Sequence, residues 1–482
     1  MPNPSLSKAS TLRNIPSVDQ LLRTEAANEL RNSVGINRLT AIARDITEQL
    51  RARIQSDGLT EVSRGKLMGE AVERLRAISL LETVSAVRRV INATGVILHT
   101  NLGRAPLSDA ARHAVIEASG YCTLEYDPTL GSRGKRGAYA EELLIQLTGA
   151  EAALIVNNCA AAALLILTVL AGDGETIVSR GELVEIGGDF RVPEVMSNSG
   201  TQMVEVGSTN RTRLDDYRKA ITGQTRLIMR VHPSNYRIIG FTAAPDLAAL
   251  ATLAHESSLI LYEDAGSGAL NNLSAYGLGD EPVVSESISA GVDVVSFSGD
   301  KLLGATQAGL IVGRREIIDR LRKHSLYRAL RVDKLCLAAL EATLAAHRRQ
   351  SVDEIPTLQM LAMPEERIEQ RATNLINQLP KEEVDSEMKV TIVAGHSAIG
   401  GGSGPNVHPP TALIALNHQT LSADEIELRL RRFSPPVISR IADGLVLIDL
   451  RTVNDREEPD LLRALTSLST PHFEDNSEFS VE

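Results

Sequence analysis

The sequence predicts an α/β protein: a mainly parallel seven-stranded sheet with helices on both faces, an all-helical unit before it and a smaller α/β unit after it. Three observations carry this. Seven short apolar runs, at 153–156, 176–179, 202–206, 227–231, 259–262, 292–297 and 309–312, alternate with helical segments. Runs that are apolar on both faces suit strands covered from both sides. Residues 1–90 lack such runs and place Ile36, Leu39, Ile42, Ile46, Leu50 and Ile54 at the three-and-four spacing of an amphipathic helix. Finally, 482 residues exceed what one hydrophobic core supports, so several domains are expected.

The expected boundaries are 1–90, 91–345 and 346–482. In the first region Ser17-Val18-Asp19-Gln20 forms a capping box that opens a helix at Leu21-Leu22. The helical spacing resumes at Val72, Leu75, Ile78 and Leu81 after a break at Asp57-Gly58. In the second, the apolar run 159–171 is too short to cross a bilayer and reads as a buried helix. The third holds strands at 389–393 and 411–416, a helix capped by Ser422 and Glu425, a hairpin turning at Asp443-Gly444 and a last helix near 459–468. Its loop Gly400-Gly401-Gly402-Ser403-Gly404-Pro405 has no lysine and no helix directly after it, so it reads as flexible rather than as an anion cradle. The tail after Thr470 is acidic and expected to be loose.

Charge and cysteine use narrow the function classes. A net charge of −11 argues against a surface generally coated by nucleic acid, and no DNA partner is expected. The sign is uneven, however: residues 1–90 carry +4 and the remainder −15, so a polyanion has one mildly basic region to dock on. The first 17 residues contain no apolar stretch of a signal peptide, and no membrane partner is expected. Cys122, Cys159 and Cys336 are too scattered for a disulfide framework or a thiolate zinc site, which suits a reducing, cytoplasmic setting with no metal.

The chemistry gathers where strands end, as ligands do in open parallel sheets. Ser296-Phe297-Ser298-Gly299-Asp300-Lys301 closes an apolar strand with a lysine, three residues after Ser298 and beside Asp300. A lysine amine there can form a Schiff base with an aldehyde cofactor, and Ser298 with nearby backbone N–H groups can hold its phosphate. That combination points to pyridoxal 5'-phosphate. At Asn157-Asn158-Cys159-Ala160, a strand passes into an alanine-rich helix whose positive end suits the same phosphate. Asp264, preferred over its neighbour Glu263 because strand alternation points only one of them into the site, would pair with a protonated ring nitrogen. At the end of the preceding strand, Ser234 or Asn235 would bond the cofactor's phenolic oxygen, and His232 would face the ring. Arg104, with Arg328 and Arg331 three apart on one helix face, would converge on an oxyanion.

Taken together and in order, these segments resemble the bacterial selenocysteine synthase family, the L-seryl-tRNA(Sec) selenium transferases. The resemblance rests on residues 12–19, 91–104, 179–188, 231–237 and 296–309, and runs from about residue 12 to 450. It implies a fold-type-I pyridoxal-phosphate transferase with Lys301 bearing the cofactor, Asp300 assisting catalysis, and Arg104, Arg328 and Arg331 holding the anionic selenium donor. The implied reaction converts seryl-tRNA(Sec) to selenocysteinyl-tRNA(Sec) with selenophosphate, by elimination of water through an aminoacrylyl-tRNA intermediate. The resemblance further implies an N-terminal domain that recognises the tRNA and a homodecamer built as a pentamer of dimers. Two departures flank the cofactor: Ala305-Thr306-Gln307 where the family usually has Gly-Pro-Gln, and Cys159 where a third asparagine is more usual. The alternatives are a related lyase or transferase acting on a small amino acid or amino sugar, which has no evident use for residues 1–90, and a non-catalytic tRNA-binding scaffold, which would carry no lysine-linked cofactor.

Overall fold

The structure, a computed structural model, describes residues 11–56, 62–83, 87–186, 190–380 and 388–469. The Asp57-Gly58 break and the acidic tail after Thr470 lie outside the described residues. The chain divides into two compact units, Met1–Arg89 and Val90–Glu482.

The first unit is helical: α1 (Val18–Leu22), α2 (Glu25–Val34), α3 (Ile36–Ser56) and α4 (Arg64–Thr83). The Ser17 capping box is present, with the Ser17 hydroxyl accepting from the Gln20 amide at 3.3 Å and the Gln20 side chain accepting from the Ser17 amide at 3.1 Å. On α3, Leu39, Ile42, Ile46, Leu50 and Ile54 are buried against Leu21, Ala27, Leu67, Ala71 and Leu75. Each such side chain contributes about 1.5–3 kcal/mol by leaving water. Ile36, the first residue of the helix, precedes this contact and stays exposed.

All seven expected strands form the central sheet of the second unit. They are β1 (Ala152–Val156), β2 (Glu175–Ser179), β3 (Gln202–Val206), β4 (Thr225–Val231), β5 (Ile260–Gly266), β6 (Val294–Ser298) and β7 (Gly309–Gly313). Their order is β1-β7-β6-β5-β4-β2-β3. Only β7 runs against its neighbours, β6 and β1. The sheet is buried on both faces. One face packs Ile228, Leu261, Val295 and Leu340. The other packs α5 (Cys159–Ala171) on Tyr262, Val294 and Ile311. The carboxyl ends of the six parallel strands therefore share one edge, together with the start of β7.

Residues beyond the sheet build a second layer of strands: β8 (Met388–His396), β9 (Pro410–His418), β10 (Arg440–Ala442) and β11 (Leu445–Asp449), antiparallel in the order β8-β9-β11-β10. The Asp443-Gly444 turn joins β10 to β11 with φ of 52° and 75°, the left-handed pair that a tight hairpin needs. Helix α6 (Ala423–Arg432) starts in the expected Ser422–Glu425 capping box. The segment 91–95 is part of this layer. Ile91–Asn92 pairs with Val437–Ile438, and the Asp449 amide donates to the Ala93 carbonyl at 2.9 Å. Asp449 is fully buried and accepts from Ser397, Thr411 and the Arg451 amide. The buried Arg451 guanidinium donates in turn to the carbonyls of Met360, Met363 and Pro410.

The glycine loop departs from expectation. Ala398–Gly400 pairs with Val96–Leu98, Ser403 is buried, and the Gly404 amide donates to Glu281 at 2.8 Å. Strand pairing on one side and a buried carboxylate on the other fix it, and neither partner is near in sequence.

Gly95 sits at φ 76° with Asp449 Oδ2 only 2.2 Å from where a Cβ would stand. Gly95→Ala should therefore lose roughly 2–4 kcal/mol of stability from strain and the displaced carboxylate. A clear drop in the melting temperature checks this; an unchanged transition would contradict the packing described.

Candidate active site

Lys301 occupies the turn between β6 and β7, with only 6% of its surface exposed. Backbone bonds brace this turn at every side. The Gly299 amide donates to the Ala308 carbonyl, Ala305 to Gly299 and Gly304 to Lys301, all at 2.8–2.9 Å. The Leu302 amide reaches the Ser267 carbonyl beyond the end of β5. Gly309 opens β7 beside the Asn158 carbonyl, where a Cβ would stand 2.0 Å from the oxygen. That close approach sets the β1–α5 turn next to the lysine turn.

Asp264 lies on the α5 face of β5 together with Tyr262, while Glu263 points to the other face, opposite Arg230 of β4. The Asp264 carboxylate is buried and accepts at Oδ1 from the Gly266 amide (3.2 Å), Ser296 (3.4 Å) and the Cys159 thiol (3.6 Å). Tyr262 and Ser296 hydroxyls bond each other at 2.8 Å. Burial pushes the Asp264 carboxyl up, against the opposing pull of Lys301 and of these donors. Burial and the neighbouring Asp264 charge push the Cys159 thiol far up, so it stays a neutral donor. Ser298 lies two residues beyond Ser296 on the same strand face, buried. Asn158 caps α5, its side chain accepting from the Ala161 amide at 2.8 Å, and Asn157 and Ala160 flank it in the turn.

Beyond β4, Ser234 is fully buried and its hydroxyl has no partner, beside Gly266. Asn235 donates to the Glu185 carbonyl and leaves its own buried oxygen without a partner. His232 turns to the Glu263 side of the sheet, where its Nε2 stands 3.4 Å from Glu281. The same side holds Glu182, 2.8 Å from Arg230 and accepting from the Val231 amide at 2.9 Å.

Arg104 reaches Asp300 across 196 positions of sequence, Nη1 to Oδ2 at 2.8 Å, while its buried Nε has no partner. Its φ of 61° is a conformation that a non-glycine residue adopts only when the surroundings hold it, here by the Ala105 amide on the Asp300 carbonyl. Arg328 and Arg331 do not share a helix face. Helix Ser325–Ala329 ends before Arg331, which lies over the Tyr327 ring with Cζ 5.7 Å from its centre. Both are exposed, and the turn is tied to the site by the Asn157 amide on the Leu330 carbonyl at 2.9 Å.

Sequence reasoning missed five residues: Tyr262, Ser296, Glu182, Ser267 and Glu281. All but Glu281 lie inside segments already singled out. Glu281 carries no local signal, because the contacts that define it come from distant turns. Among the described residues no cluster of His, Cys, Asp or Glu could hold a metal ion.

Comparison with known proteins bears on family and fold. A family model described as L-seryl-tRNA selenium transferase matches residues 90–454, and one described as the selenocysteine synthase N terminus matches residues 12–51. Curated proteins named L-seryl-tRNA(Sec) selenium transferase are similar over nearly the whole chain. That of Geobacter sulfurreducens is 45% identical over 95% of this chain and 99% of its own. That of Moorella thermoacetica is 46% identical over 95% and 97%. Among solved structures, one of D-glucosaminate-6-phosphate ammonia-lyase superposes with a TM-score of 0.54 at 19% identity, covering 81% of this chain and 98% of that one. At that identity the likeness speaks for the fold, the fold-type-I architecture with its central seven-stranded sheet.

Burial pushes the Glu182 carboxyl up to about 7 from an ordinary 4.5, more than Arg230 and the Val231 amide pull it back. The folded protein then holds a proton that the unfolded chain has released, so its contribution to stability is full below pH 4.5 and lost as pH rises through 7. Glu182→Gln, which cannot ionise, should flatten the fall in melting temperature across that window; an identical pH profile in both proteins would contradict this.

Proposed function

This chain belongs to the L-seryl-tRNA selenium transferase family, and from that premise we propose how its residues carry out the reaction. The chain converts L-seryl-tRNA(Sec) to L-selenocysteinyl-tRNA(Sec), the activity for which its relatives are named. The proposal concerns the cofactor, the selenium donor and the residues in each role.

The cofactor is pyridoxal 5'-phosphate, and the residues present fit it. Asp264 is a buried carboxylate that Lys301 faces, and it suits a protonated ring nitrogen. The fully buried Ser234 hydroxyl and the Asn235 oxygen lack partners, as groups do that await a ligand. The first turn of α5, behind Asn157, Asn158, Cys159 and Ala160, offers backbone N–H groups and the positive helix end to a phosphate, with Ser298 alongside. When bound, this cofactor supplies an aldehyde for an amine to condense with and a sink for the electron pair left at a deprotonated Cα.

Lys301 would hold that aldehyde through its Nζ. As a free amine, Nζ would take a proton from the serine Cα and give one to the departing hydroxyl, so one residue would serve as base and acid. Asp300, paired with Arg104, keeps that guanidinium aimed along the lysine turn. Arg104 retains an unpartnered Nε for an anion, and Arg328 and Arg331 add exposed positive charge from the turn docked on Asn157. This set would receive selenophosphate, whose selenium adds at Cβ while water cleaves its bond to phosphorus and phosphate leaves. Burial of Lys301 and Asp264 keeps water from adding in its place. His232 faces Glu281, so its service would be to the turn rather than to the ring.

Residues 1–90, net +4, would meet the tRNA, and 346–482 would form the smaller domain behind the site. The assembly would be the family's ring of five dimers. A cytoplasmic setting is supported by three free cysteines, and among the described residues no helix is long and apolar enough to cross a membrane.

The observation that carries this reading is Lys301 set beside a buried Asp264 at the carboxyl edge of the sheet. Borohydride reduction of the cofactor-loaded protein should fix one pyridoxyl group, on the peptide containing Lys301, and Lys301→Ala should lose at least 10³-fold in conversion of seryl-tRNA(Sec), as loss of a covalent catalyst implies. A label on another lysine, or full activity of the variant, would overturn it. Arg104→Lys keeps charge but loses the fork; it should raise the KM for selenophosphate about tenfold while leaving borohydride labelling intact. An unchanged KM would remove Arg104 from the donor site.

A further inference from the structure

We propose that Glu281 is a positioning residue: its buried carboxylate locks together the two turns that flank the cofactor site and the glycine-rich segment 400–404. Three elements far apart in sequence converge on it. Oε1 accepts from the Gly404 amide at 2.8 Å. Oε2 accepts from the Ser267 hydroxyl and stands 3.4 Å from His232 Nε2. Burial raises its pKa, but the bonds from His232, Ser267 and Gly404 outweigh this and hold the carboxyl below the usual range. It is therefore an ionised acceptor for all three donors.

Two of these spokes lead directly to the reacting groups. Ser267 follows β5, and its carbonyl accepts from the amide of Leu302, the neighbour of Lys301. His232 follows β4, and its amide donates to the carbonyl of Asp264 at 2.9 Å. Glu281 thus reaches Lys301 through two hydrogen bonds and one backbone step, and Asp264 through the His232 contact and one further hydrogen bond. The third spoke joins them to a loop that is itself paired with Val96–Leu98. Glu281 and His232 also border a cavity of about 260 Å³, shared with Arg230 and Arg237. Pro233, Leu278, Pro405 and Val407 also line this cavity.

This inference rests on Lys301 carrying pyridoxal phosphate, so the wild-type protein is first reduced with borohydride; a label away from Lys301 would dispose of the cofactor assignment and not of the Glu281 geometry. Glu281→Ala, which removes every acceptance, is then compared with Glu281→Gln, which can still accept from Gly404 and bond Ser267. In Glu281→Ala the circular dichroism of the cofactor's visible band, which reports its orientation, should fall by half or more. Its kcat should drop 10- to 100-fold with the KM for charged tRNA within threefold of wild type. Glu281→Gln should recover most of both signals. If Glu281→Ala does not fold, Ser267→Ala removes one spoke alone and should shift the same band in the same direction. A band unchanged in the folded variants, or a glutamine variant as impaired as the alanine one, overturns the proposal.

Discussion

A carboxylate buried opposite a lysine is the constraint that organises this molecule. Removing Asp264 from water is unfavourable unless something positive faces it and donors surround it. The fold supplies both: Lys301 from the next strand's end, and the Gly266 amide, Ser296 and Cys159 around Oδ1. Holding these groups together needs β5, β6 and α5 in fixed register, and the apolar layers on both faces of the sheet provide it. Core packing and site chemistry are here the same requirement, since a slip of one residue in β5 would turn Glu263 toward α5 and Asp264 away.

The remaining polar elements extend this arrangement. The Arg104–Asp300 pair fixes the segment after 95 on the lysine turn, and Asp449 fixes the segment before it on the smaller sheet. The chain between 91 and 105 therefore bridges the C-terminal strands and the turn that carries Lys301.

Much of this was legible in the sequence, for physical reasons. The sheet strands announced themselves because strands covered on both faces are mostly apolar, edge strand β3 with its exposed Gln202 and Glu205 least so, and the helix 159–171 because it is apolar all round. Caps at Ser17 and Ser422 and the turn at Asp443-Gly444 were legible because the backbone groups involved are satisfied within three residues. What failed was whatever depends on partners remote in sequence. Spacing put Arg328 and Arg331 on one face, yet the helix stops at Ala329 and Tyr327 captures Arg331. The glycine loop looked loose because its strand partner lies some 300 positions earlier and its acceptor is Glu281. His232 was expected to face the ring, and its contact with Glu281, which has no local signature, could not be read from spacing.

The reversed strand β7 has a further consequence. Because it returns directly beside β6, only positions 299–308 separate the two, and Lys301 rides on a hairpin rather than on a long crossover. Backbone hydrogen bonds brace its main chain, and the reach of its amine comes from four methylene groups. Length changes in this stretch would shear one strand past the other, whereas side-chain changes at Ala305 and Thr306 leave that register alone. A designer wishing to retune the enzyme would work on those two positions and leave the spacing alone.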